Sequence, residues 1–282
     1  MESLKVHNII IWALLLGVFF IPFNSWSGIG FLGEYYRDSC FLFFSFAFFL
    51  TLFKKRINIP VNSLIFQFLI LFILWSVLAT LLNLNNVLEY YFKQTSGISR
   101  FINQFGSLII ASVIIPVTFY NGFKKINIDK IFRLIRGVIL ASLLIAFIYS
   151  VFEILIVKLN MVYLKKSILN LFDYFPFTEA KTDMRLRRIS SVTFEPPALG
   201  TYLLSIAGWM FSYVFTEKNR LKYLPSLIVI FLGFMSGSRA AFFIILIQLL
   251  VAIIFFIKQR SRSNNIYKIF FGVFIFSALT LV

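Results

Sequence analysis

Long unbroken apolar runs constrain this chain more than any other feature. Asn8–Asn24, Ser39–Phe53, Val61–Leu84, Phe105–Asn121, Ile131–Val157, Pro197–Phe215, Tyr223–Met235, Ala240–Ile257 and Ile269–Val282 are dominated by Leu, Ile, Val and Phe. A hydrocarbon core about 30 Å thick takes roughly 20 residues of helix. Inside it, every backbone polar group must find a partner within the protein, which favours helices. The expectation is an all-α, polytopic integral membrane protein with about nine transmembrane helices. A soluble fold is excluded by charge as well: 13% of residues are charged, against about a quarter in soluble domains. Residues 1–282 read as one transmembrane domain with no repeat and no soluble module. The first run follows Lys5 and imitates a signal peptide, but no A-x-A-like site follows it, so it reads as a retained helix. The last run would give only about 21 Å of helix, so the expectation is a chain incomplete at its C-terminus.

The formal charge is +16, from 27 Lys and Arg against 11 Asp and Glu. Its distribution matters more than its size. The N-terminus and alternate loops hold 16 of the 27, from Lys5 through Lys54, Lys55 and Arg56 to Lys258–Lys268, with Arg133 and Arg136 among them. The other side holds 11, of which seven fall in one long loop and four, Arg37, Lys93, Arg100 and Arg239, in short ones. Sixteen against four puts the N-terminus in the cytoplasm. The basic surplus then meets anionic lipid head groups, and nucleic acid loses its support as a partner. The lone Cys40 allows no internal disulfide, and the lone His7 lies in the N-terminal tail. No metal or other cofactor is implied.

This orientation places Ser25–Asp38, Asn85–Gln104 and the large loop Lys158–Pro196 (residues 158–196) outside. Within that loop, Leu164, Ile168, Leu171, Phe172 and Phe175 form the apolar stripe of an amphipathic helix, which Pro176 ends. Such a helix lies on the outer leaflet or packs on neighbouring spans, and both readings stay open. Val87, Leu88, Tyr91 and Phe92 form a shorter echo.

Two polar segments join apolar helices on this outer side. Ser236-Gly-Ser-Arg239 follows a short span. Gly237 permits a tight turn, and Ser238 can cap the next helix. Arg239 then falls in the first turn, where the helix is already partly positive. A bound anion removes that conflict, held by helix-start amides, two hydroxyls and a guanidinium. Snorkelling of Arg239 to head groups is the plainer alternative. Arg185, Arg187 and Arg188 form a cation cluster on the side poor in cations. Guanidinium forks fit phosphate oxygens, although lipid phosphate, or ion pairs with Glu179 and Asp183, would also employ them. Glu195 precedes Pro196-Pro197, a normal helix start. It orients a reacting group, partners an arginine or simply caps the helix. Gly200 and Gly208 share a face that allows close helix packing. Glu153 is the only acid deep in a predicted helix, too little for a proton relay. No phosphate-binding glycine loop, dinucleotide fingerprint, zinc motif or serine-hydrolase elbow occurs.

Arg188-Ile-Ser-Ser-Val-Thr-Phe-Glu-Pro-Pro-Ala-Leu-Gly-Thr-Tyr202 after a large outer loop, and Ser236-Gly-Ser-Arg239-Ala-Ala opening a later helix, resemble the bacterial O-antigen polymerase and O-antigen ligase superfamily. The Phe-, Ile-, Lys- and Asn-rich character is similar to the polymerase branch. The resemblance implies a metal-independent glycosyltransferase at the outer face of the bacterial cytoplasmic (inner) membrane. Its donor would be a glycan on a polyprenyl pyrophosphate. Its acceptor would be a sugar hydroxyl of another lipid-linked unit, or, in a ligase, a lipid A core. Arg188 and Arg239 match the family's arginines and would hold the pyrophosphate, with Glu195 orienting the acceptor. Arg185, Arg187, Ser236, Gly237, Ser238 and Tyr202 are further binding candidates. Implied partners are the lipid-linked oligosaccharide, membrane lipids, a chain-length regulator and a flippase. Ligases of this family carry a histidine in a later outer loop, and this chain has none there. The same residues fit two rival readings: a transporter using the arginines as a basic cavity, and a non-catalytic subunit or fragment.

Overall fold

The computed structural model describes residues 2–28, 38–53, 57–92, 95–161, 163, 175–179 and 188–260. Among these the chain is mostly helical, with strand only at Tyr91–Phe92 and Thr95–Ser96. Four helices are long and apolar enough to cross a membrane: Leu64–Leu82, Gly97–Phe123, Ile128–Val157 and Pro196–Thr216. The amphipathic helix expected at residues 164–175 falls outside the described residues except for Phe175, and the run Ile269–Val282 falls wholly outside.

The chain divides into two compact units. The first begins with most of α1 (Glu2–Phe19), then α2 (Ser39–Leu52) and α3 (Leu64–Leu82). On α3, Ile65, Phe68, Leu71 and Leu78 are exposed apolar side chains, the surface that a helix in hydrocarbon presents. Asn121 fixes the approach to α3: its Oδ1 accepts from Asn58 N–H at 2.9 Å and its Nδ2 donates to Asn58 O at 2.8 Å.

The stretch expected as an outer loop, Asn85–Gln104, is largely ordered structure. A short helix α4 (Leu84–Glu89) leads to a two-stranded antiparallel hairpin, β1 (Tyr91–Phe92) and β2 (Thr95–Ser96). Ser96 then caps α5 (Gly97–Ile109), its side chain accepting from Ser99 N–H at 3.3 Å. That cap starts the helix eight residues before the apolar run does. A π segment, Ile110–Ile114, links α5 to α6 (Ile115–Phe123). Pro116 explains it. Proline has no N–H to offer the carbonyl four residues back, and its ring crowds that carbonyl. Widening the turn relieves both conflicts.

The second unit contains residues 18–28, 38–39 and all of the described chain from Phe132 onward. Its helices are α7 (Ile128–Val157, begun in the first unit), α8 (Pro196–Thr216), α9 (Leu224–Met235) and α10 (Arg239–Arg260). Asn127 starts α7, its Oδ1 accepting from Asp129 N–H at 2.9 Å. Asn160, at φ 55°, turns the chain out of it, as a left-handed residue does just beyond a helix end. α8 is the centre of the unit and packs on α9 and α10. Leu199, Leu203, Met210, Leu232 and Ile245 are fully buried there. Burying such a side chain is worth about 1.5–3 kcal/mol when the alternative is water, so packing and polar clasps carry more of the cohesion in hydrocarbon. Polar bonds stitch these helices: Tyr202 Oη donates to Ser142 Oγ on α7 at 3.1 Å, and Gln248 Nε2 on α10 donates to Leu204 O at 2.8 Å.

Arg136 is a correction to the charge reading. Counted among cations meeting lipid head groups, it is instead 4% exposed. It donates to Thr216 Oγ1 and, at 2.6 Å, to Glu217 Oε1, and it lies 4.0 Å above the Tyr213 ring. It clasps the start of α7 to the end of α8. Glu217→Ala should strand this buried cation, lowering stability by about 2 kcal/mol. That is less than the ~3–5 of a fully buried pair, because Glu217 is 43% exposed. Arg136→Met, which removes the charge with its penalty, should cost less than Glu217→Ala. Melting of the purified protein in detergent checks the order, and equal losses would contradict this account.

Candidate functional site

The two polar segments singled out in the sequence meet. α9 ends at Ser236, whose amide donates to Leu232 O at 2.8 Å and whose hydroxyl donates to Gly233 O at 2.8 Å. Gly237 follows at φ 65°, a conformation natural to glycine. Ser238 N–H donates back to Ser236 Oγ at 3.3 Å, and Ser238 O accepts from Phe242 N–H at 3.0 Å, the first turn of α10. The Arg188 side chain crosses this turn at Gly237. A methyl placed on Gly237 would sit 3.0 Å from Arg188 Cγ and 3.2 Å from its Nε. Ser238 meanwhile rests on α8: a methyl on Gly200 would lie 2.9 Å from Ser238 Cβ. Bare backbone at Gly200 and Gly237 thus lets three segments converge, the strand of chain before α8, the first turn of α8 and the α9–α10 turn.

Arg188, Glu195 and Arg239 are exposed at this junction. Neither guanidinium has an ion-pair partner among the described residues. Glu195 occupies the N-cap position of α8, with φ −156° and ψ 157°, and its carbonyl accepts from Ala198 N–H at 3.1 Å and Leu199 N–H at 3.2 Å. Its carboxylate makes no capping bond, so the plain capping role is corrected. Pro196 and Pro197 leave few amides at this helix start for it to cap.

Two candidates stand behind the surface rather than on it. Tyr202 is 5% exposed with its hydroxyl bonded to Ser142, and Ser236 is fully buried with its hydroxyl closing the turn. Both build the junction; neither offers a free hydroxyl to a ligand. Arg185 and Arg187 lie outside the described residues. Glu179, expected as their ion-pair partner, accepts at Oε1 from Ser27 N–H at 2.7 Å.

Sequence reasoning gave Glu153 no part in this site. It is 6% exposed in α7, and its carboxylate receives the chain just after Arg188. Ser190 N–H lies 3.0 Å from both oxygens, Ser190 Oγ 3.3 Å from Oε1, and Ser191 N–H 2.7 Å from Oε2. Ser191 Oγ donates to Ala146 O at 2.7 Å, and Phe194 N–H donates to Asn24 Oδ1 at 3.0 Å. Asn24 also bonds the Asp38 side chain. Burial pushes the Asp38 carboxyl above the usual carboxylate range, and that bond offsets part of the rise. The only signal of Glu153's role was an acid isolated in an apolar helix.

An open cavity of about 770 Å³ lies further along α8 and α10, lined by Phe211, Phe215, Ile247, Val251 and Phe255 among others. Its lining carries no ionised side chain, so it suits hydrocarbon and not an anion. Among the described residues, no group of His, Cys, Asp and Glu could hold a metal ion. What the junction offers is an exposed pair of arginines, helix-start backbone and one exposed carboxylate. That is a set able to bind an anion and to orient a neutral hydroxyl. No family model matches this chain, and neither a curated protein nor a solved structure does.

Proposed function

We propose that this protein is a surface-polysaccharide polymerase of the bacterial inner membrane, acting at its outer face. The observation that carries the reading is Arg188 lying across Gly237, two residues from Arg239. Arginines from two distant segments are thereby presented at one junction of helix ends. In this reading the donor is a glycan on a polyprenyl pyrophosphate. The acceptor hydroxyl of a second lipid-linked unit attacks the anomeric carbon. The bond from that carbon to the pyrophosphate oxygen breaks, and the lipid pyrophosphate leaves with the bonding electrons. Negative charge grows on it as it leaves, and guanidiniums already in place stabilise that charge without reorganising. Glu195 orients the acceptor hydroxyl and takes its proton. The charge asymmetry of the loops supports the outward orientation. A chain-length regulator and a flippase would work beside it.

The test is a gel of surface polysaccharide from a deletion strain carrying either wild type or Arg239→Ala. The expected result is a ladder with wild type and single repeat units with the variant. A ladder from both removes Arg239 from the mechanism. A deletion strain that still makes long chains, detached from the lipid A core, identifies a ligase instead.

A further inference from the structure

Glu153 takes part in no chemical step assigned to the junction, yet it is among the most heavily hydrogen-bonded side chains of its unit. A buried carboxylate needs a cation or several donors. Here three donors surround it, two amides and a hydroxyl, and all come from Ser190 and Ser191. Those residues begin one position after Ile189 and two after Arg188. Ile189 and Val192 are fully buried on either side of them. Ser191 is held at φ 55°, a backbone state that residues with a side chain rarely adopt. Both amides that could have bonded elsewhere are taken by the carboxylate. The path of the chain here is therefore imposed by α7, and Arg188 is where that path reaches the surface.

We propose that Glu153 is a positioning residue. By fixing Ser190 and Ser191 to α7, it holds the Arg188 side chain across Gly237. The inference deepens the polymerase reading and rests on it for the identity of the anion that Arg188 meets. A carboxylate suits the task because it accepts several bonds at once and offers no donor. Glutamine has the same shape but turns an NH2 group toward donors, so Glu153→Gln should release the segment while leaving α7 its packing.

The readout is the accessibility of position 188. Arg188→Cys or Tyr163→Cys is introduced beside Cys40→Ser, and spheroplasts are labelled with a membrane-impermeant maleimide. Tyr163 is 75% exposed and serves as the control. Glu153→Gln should change the labelling rate at position 188 about tenfold, the size expected when bonds to a charged group are lost, and leave position 163 unchanged. In a chain that retains Arg188, the same substitution should shorten the polymer. If Glu153→Gln does not reach the membrane, Glu153→Asp, which withdraws the carboxylate by one methylene, is read in the same way. An unchanged rate at 188 in an inserted variant overturns the proposal. If Arg188→Ala leaves long chains but Glu153→Gln still alters labelling, the positioning stands and the polymerase reading fails. If Arg188→Ala abolishes long chains and the rate at 188 does not respond to residue 153, the reading stands and the positioning fails.

Discussion

Arg188→Ala should reduce chain extension by about 10²–10³-fold, the usual cost of removing one preorganised donor from a developing oxyanion. The side chain is exposed and has no ion-pair partner among the described residues. Its loss should therefore change stability by less than about 0.5 kcal/mol. Activity and abundance should separate cleanly: normal amounts of protein in the membrane, single lipid-linked repeat units accumulating, and no ladder. Arg188→Lys sharpens the test. Lysine keeps the charge but loses the planar fork that grips two phosphate oxygens at once. Turnover on purified lipid-linked units should then fall by roughly tenfold, between wild type and alanine. If lysine and alanine are equally inactive, the fork matters more than the charge. If alanine is as active as wild type, Arg188 does not touch the leaving group.

The helices and the two arginine segments were legible in the sequence for different reasons; that the segments meet was not. Apolar runs set the helix limits within a few residues for α2, α7, α8, α9 and α10, because each run is bounded by polar residues, Pro or Gly. α5 was not legible. Its first turns carry Arg100, Asn103 and Gln104, which read as a loop, and the Ser96 cap that extends the helix is a local bond with little compositional signature. Arg136 was misread because a count of charges by side does not register aromatic rings. Phe132 lies one turn before it on α7, and Tyr213 lies on another helix. At the site, the sequence pattern singled out Glu195, Gly237 and Arg239, and the family resemblance set Arg188 apart from Arg185 and Arg187. Neither could tell a surface side chain from one supporting it, so Tyr202 and Ser236 were grouped with them. Glu153 escaped because its partners are backbone amides, and every residue but proline has one.

Gly237 is the position where a small change should have the second large effect. Its φ of 65° belongs to the left-handed region, where a side chain costs about 1–2 kcal/mol. Space is the second constraint, since a new Cβ would stand 3.0 Å from Arg188 Cγ and 3.2 Å from its Cδ and Nε. Those atoms belong to a flexible stem, so the arginine moves rather than the turn. Gly237→Ala should therefore lower stability by roughly 1 kcal/mol through backbone strain. It should lower turnover much further, by about 10²-fold if displacing Arg188 matters as much as misplacing other catalytic groups. Gly237→Val should be worse on both counts, because a β-branched residue is a genuine outlier at positive φ. A double-mutant cycle separates strain from collision. In the Arg188→Ala background the stem is gone, so Gly237→Ala should retain its stability cost but have no further effect on turnover. If Gly237→Ala slows the Arg188→Ala protein as much as it slows the wild type, the glycine acts independently of Arg188. The turn would then serve the helices it joins and not the arginine that crosses it.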